Sequence, residues 1–114
     1  MARFNCIRML VFASVFAFSA NVALAAAAVQ GQIGLLEFVG GGAGAPGNFD
    51  FRIFLIGNPV ICAGQTWTYI NGTEANYNTL VAATLSAKAS GGAVTLHVDP
   101  DTQGFCHIEY MDLQ

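Results

Sequence analysis

A mainly β domain carrying one helix, with its elements in the order strand, strand, strand, helix, strand, strand, is what this 114-residue chain predicts. Three observations lead there. Between Asn76 and Gly91 the apolar residues Tyr77, Leu80, Val81 and Leu85 recur at helical spacing. After Gly91 two stretches alternate apolar and polar residues across a short polar turn, as a half-buried hairpin does. Before Asn76, β-branched and aromatic runs are cut by Gly, Pro and Asn clusters that no helix would tolerate.

Residues 1–25 carry two cations, Arg3 and Arg8, and then an apolar run that ends in Val22-Ala23-Leu24-Ala25, the form of a secretory signal peptide. Ser14, Ser19 and Asn21 dilute that run below a membrane span of about 20 apolar residues. Cys6 lies ahead of the run rather than just behind it, which argues against a lipid-anchored cysteine. Cleavage between Ala25 and Val29 leaves one small domain, residues 29–114, in the periplasm or outside the cell, with no membrane attachment thereafter. Cys62 and Cys106 then form an even pair in an oxidising compartment and are expected to be joined as a disulfide.

With the leader gone, Arg52 and Lys88 stand against seven acids, a net charge of −5. Two cations neutralise too few phosphates for nucleic acid or an anionic membrane surface to be the partner. Only 10% of the whole chain is charged, against about a quarter in typical soluble domains. Such poverty of charge points to buried contacts between copies, a homo-oligomer.

Residues 31–39 read as the first strand. Residues 40–48, rich in Gly, are expected to form a loop, since a phosphate cradle would need a helix after it and a strand follows. In residues 49–56, Phe49, Phe51, Ile53 and Leu55 share one face, while Asp50, Arg52, Phe54 and Ile56 share the other. Residues 66–70 make the third strand with Trp67 and Tyr69 on one side. Asn71-Gly72-Thr73 has the form of a glycosylation acceptor but reads as a turn. Asn76 is the expected N-cap of the helix, Lys88 complements its dipole and Gly91 ends it. Its remaining surface, Ala82, Ala83, Ser86, Ala87 and Ala89, is small rather than charged, which is unusual for a free helix. In the final hairpin, a register with Val98 opposite Cys106 pairs Leu96 with Ile108 and Val94 with Tyr110 inside. The same register pairs His97 with His107 and Thr95 with Glu109 outside.

This order of elements is that of an OB-like five-stranded barrel. The pieces Trp67-Thr-Tyr-Ile, Asn76-Tyr77, Leu80-Val-Ala-Ala83, Lys88-Ala-Ser-Gly91, Val94-Thr-Leu96 and Gly104-Phe-Cys-His-Ile-Glu109 also resemble a group of small secreted bacterial proteins with such a fold. At greater distance the architecture is similar to the glycan-binding B subunits of pentameric bacterial toxins. That likeness is one of fold and export, since none of their binding residues matches a position here.

Chemistry is sparse. Asp99-x-Asp101-x-Gln103-Gly104 imitates the opening of a calcium loop, but the closing acid, Glu109, comes one residue early, and a turn explains the pattern equally well. His97 and His107 would need a third ligand to hold a transition metal, and spacing supplies none, so no metal or other cofactor is expected. Neither Ser nor free Cys stands in a nucleophile context, so no enzyme is expected either. The reading that fits best is a secreted or periplasmic, non-enzymatic binding module for a glycan or protein, with a structural or inhibitor-like protein as the alternative. The ligand would lie against Asp50 and Arg52, between the 40–48 loop and the Asp99 turn, with Trp67 and Tyr69 as a stacking surface if their face is outward, which alternation leaves open.

Overall fold

The computed structural model describes residues 26–40 and 49–114; residues 1–25, read above as a leader, and 41–48, most of the expected loop, lie outside them. Within the described residues five strands and one helix follow one another as β1 (Ala27–Phe38), β2 (Phe51–Leu55), β3 (Trp67–Ile70), α1 (Tyr77–Ser90), β4 (Ala93–Pro100) and β5 (Cys106–Leu113). The strands hydrogen-bond in the order β1-β2-β3-β5-β4, and β4 returns to β1, so the sheet closes on itself. Every pair is antiparallel except β3 with β5.

One strand serves two neighbours. The first half of β1, Ala27 to Gln32, pairs with β4, and the second half pairs with β2 across a register shift between Ile33 and Leu35. β1 thus starts four residues before the expected boundary, because its first residues belong to an alanine run without strand character of its own. Gly34 sits at the shift, where a Cβ would stand 3.3 Å from the backbone nitrogen of Ile56. Its carbonyl accepts Lys88 Nζ at 2.6 Å, tying the bend to the last turn of α1.

Alternation does the rest. Phe51, Ile53 and Leu55 of β2, Val94, Leu96 and Val98 of β4, and Cys106 and Ile108 of β5 all face inward and are buried. Tyr77, Leu80 and Val81 of α1 pack against that core, and Thr84 and Ala87 are buried on the same side. Here the structure corrects the expected helix stripe, because Ala87 faces the core and Leu85 is exposed. A helix packed close to a curved sheet has room for a methyl at its last turn and none for a leucine. Asn76 makes no side-chain capping bond among the described residues, whereas Gly91 ends the helix in the left-handed region at φ 70°. Its N–H reaches the Lys88 carbonyl and that of Gly92 the Ala87 carbonyl, a Schellman closure.

The β4–β5 register differs from the expected one. Val98 pairs with Ile108, Asp99 with His107 and Pro100 with Cys106, two residues off, and a bulge between His97 and Val98 shifts the rest by one more, so that His97 meets Tyr110 and Leu96 meets Met111. Between Val98 and Pro100 the shift of two leaves every side chain on its expected face, which alternation alone has no power to detect. Past the bulge the shift of three turns Tyr110, expected inside opposite Val94, outward at 56% exposure and brings Met111 against the core. The turn decides: Asp101 Oδ1 accepts the N–H groups of Gln103 and Phe105 at 2.8 and 2.9 Å and tightens the connection to residues 101–105.

Cys62 and Cys106 are joined as a disulfide. Cys62 is presented by a tight turn in which Ala63 and Gly64 both take positive φ, 44° and 79°. Replacing both partners, Cys62→Ala with Cys106→Ala, is expected to lower the unfolding free energy in urea titrations by about 4 kcal/mol for a closed loop of this length. A loss under about 1 kcal/mol would show that the ring closes without its staple.

Candidate functional site on the outer sheet face

Register places the expected ligand residues on the outside of the ring. Leu35 of β1 lies opposite Phe54 of β2, and Phe54 opposite Trp67 of β3, so these three form a row across the sheet. The next row is Glu37, Arg52, Tyr69 and His107, running from β1 to β5. Trp67 and Tyr69 therefore face away from the core, and Thr68 and Ile70 point into it.

Phe49 joins this face against expectation. It takes a positive φ of 48°, which turns it out of the β2 alternation. Its ring meets Trp67 at 5.5 Å, Tyr69 at 4.5 Å and Phe105 at 5.1 Å, all edge to face. Such contacts add about 0.5–1.5 kcal/mol each beyond area burial. Asp50, the next residue, does not reach the platform: its Oδ2 accepts the Gly72 N–H at 2.5 Å, while the Phe49 N–H donates to Asn71 Oδ1. Asp50 thus pins the β3–α1 connection and leaves the candidate ligand set.

Arg52 stays in it. Its guanidinium lies 4.9 Å from the Trp67 ring centroid and 5.7 Å from that of Phe49, and Nη1 contacts Glu37 at 3.4 Å. A half-exposed ion pair of this kind contributes roughly 0.2–1 kcal/mol. Its Nε is buried and has no hydrogen-bond partner among the described residues.

Tyr69 is a different case. Although it points outward, it is only 5% exposed, roofed by Phe49 and by His107 at 5.3 Å. Its Oη donates to Asp101 Oδ2 at 2.6 Å. Burial first, then the bond to Asp101 and the charges of Asp101 and Glu74, push the phenol well above its ordinary range, so it remains a neutral donor. Burial alone would raise Asp101, but the bonds from Tyr69 and from the backbone N–H groups of Phe105, Gln103 and Gly104 outweigh it and hold the carboxyl below its usual value.

Beside this pair, His107 stands between two acids, Nε2 to Glu74 Oε1 at 2.6 Å and Nδ1 to Glu109 Oε1 at 3.1 Å. Burial pulls its pKa down, yet the bonds to and charges of Glu109 and Glu74 prevail and raise it. The expected facing of His97 and His107 is overturned by the register: His97 stacks on Tyr110 at 3.9 Å and contacts Asp112. Among the described residues no group of three or more His, Cys, Asp and Glu side chains is placed to hold a metal ion. The Glu74–His107–Glu109 chain had no sequence signal, since Glu74 lies 33 residues away in the loop before the helix.

No family model, curated protein or solved structure matches this chain.

A histidine whose folded pKa is raised stabilises fully below its unfolded value, near 6.5, and loses that contribution as pH rises through the folded value. The gap in melting temperature between the native chain and His107→Gln is therefore expected to be widest near pH 6 and to shrink as pH rises toward about 8. A gap constant from about pH 5.5 to 9 would reduce His107 to a packing role.

Proposed function

We propose that this chain is an exported, non-catalytic binding module of OB-like architecture that holds a protein partner on the outer face of β1, β2 and β3. The ring order, with the helix between the third and fourth strands, supports the OB-like reading. The leader-like residues 1–25 and the disulfide support export to an oxidising compartment.

The observation that carries the binding role is the row Leu35–Phe54–Trp67, continued by Ile56. Leu35 is 51% and Ile56 63% exposed. Arg52 borders it. Aliphatic and aromatic anchors beside an arginine are the composition of protein-binding hot spots. A glycan would need free polar groups beside the rings, to replace the water its hydroxyls lose. The polar groups here, Tyr69, Asp101, His107, Glu74 and Glu109, are bonded to one another. An inhibitor-like protein would use this same face on one exported enzyme.

The outward side of α1 supports self-association as an additional contact, since Ala82, Leu85, Ser86 and Ala89 are exposed and uncharged. Ser86→Glu is then expected to shift the light-scattering mass at tens of micromolar toward the monomer; a native chain that is itself monomeric there would remove self-association from the reading.

A photo-crosslinking residue at Leu35 or Phe54, introduced in the native host, is expected to capture one protein, and Trp67→Ala is expected to abolish the product. Placed at Asn78 on α1, the same group should not capture it. Equal capture from both positions, or an oligosaccharide that quenches Trp67 emission while no protein is captured, would defeat the assignment.

A further inference from the structure

We propose that export processing cuts the bond between Ala25 and Ala26 and that the ammonium so formed occupies an acidic cavity between β1 and the β4–β5 bulge. The proposal rests on residues 1–25 being a cleaved leader. A small-x-small triplet must precede the cleaved bond, and in the run of residues 23–28 such triplets end at Ala25, Ala27 and Ala28. The sequence therefore leaves three bonds open.

Strand pairing separates them. Ala27 already lies opposite Val98, and Ala28 opposite His97. Ala27 also packs against the core cluster, and Val98 beneath it is 1% exposed. Cleavage after Ala27 would strip the first of these pairs, and cleavage after Ala28 both, opening the end of the β1–β4 seam. Cleavage after Ala25 keeps β1 whole, with Ala26 ahead of it.

In that step a peptidase adds water across the amide. The water oxygen bonds to the Ala25 carbonyl carbon, the C–N bond breaks, the leader departs with a carboxylate, and the Ala26 nitrogen takes up both protons of the water as an ammonium. The new charge arises where acids stand. A cavity of about 420 Å³ is lined by Ala26, by His97 and Asp99 of β4, and by Glu109 and Tyr110 of β5. Neither Lys nor Arg lines it among the described residues, so the new N-terminus is its fixed cation. Ala27 and Ala28 line the same cavity, so cleavage after Ala27 would leave the amine at its edge but without the Ala27–Val98 pair, and cleavage after Ala28 would remove all three of these lining alanines.

Expression from the chain's own leader in a bacterium with a periplasm, followed by intact mass and N-terminal fragmentation of the exported protein, tests the bond. The expected first residue is Ala26. A first residue of Ala28 or Val29 overturns the assignment and leaves export standing, whereas a full-length chain retained in the cell overturns export and the proposal together. On the Ala26 form, the pH profile of reductive methylation is expected to place the amine above its ordinary range of about 7.7–8.0, and Asp99→Asn to move it back. An amine that titrates in the ordinary range in both proteins removes the acidic cavity from the proposal.

Discussion

Closing the ring between β3 and β5 is the constraint on which the rest of the structure depends. Those two strands are parallel and share only two paired positions, Thr68 with Cys106 and Tyr69 with His107, whereas each of the other seams joins four or more. So few ladder bonds leave the seam dependent on side chains. On the inner side the Cys62–Cys106 disulfide crosses next to it, and the buried Thr68 hydroxyl donates to the Cys106 carbonyl at 2.8 Å. On the outer side Phe49, Trp67, Tyr69 and Phe105 lie over it, and the Tyr69–Asp101 bond ties β3 to the turn that begins β5.

That arrangement divides the outer face into two parts. Tyr69, Phe49, Phe105 and the Glu74–His107–Glu109 chain are occupied with closure, their polar atoms satisfied by one another. Trp67 belongs to both parts, since one side of its ring meets the cluster and its row continues outward to Phe54 and Leu35. The apolar row has no comparable internal task. An exposed leucine alone would mean nothing; it is the continuous row across three strands beside Arg52 on which the proposed contact rests.

Much of this was legible from residues alone. The helix and its glycine stop, the inward set of β2 and β4 and the disulfide follow from period, turn chemistry and cysteine count, whereas the outward facing of Trp67 and Tyr69 was left open by alternation and settled by the β2–β3 register. The misses have specific causes. Phe49 left its expected face because one positive φ breaks a period of two. Leu85 and Ala87 exchanged roles because helical spacing defines a stripe about 100° wide, and the space under the last turn chooses which edge of the stripe is used. Asp50 looked like the polar edge of a site and instead holds a backbone N–H, a bond to a residue 22 positions away that spacing does not encode.

What the sequence by itself determined is therefore what local periodicity and the chemistry of single residue types govern: element types, the inward faces of β2 and β4, a cysteine pair, the scarcity of cations. Tertiary structure alone decided the two-residue hairpin shift and its bulge, the separation of His97 from His107, and the placing of Glu74 beside His107. The reason is physical. Alternation repeats every two residues, so it fixes faces and leaves register free by any even number, and register is settled only when a turn such as the one at Asp101 and a closed ring demand one length of chain.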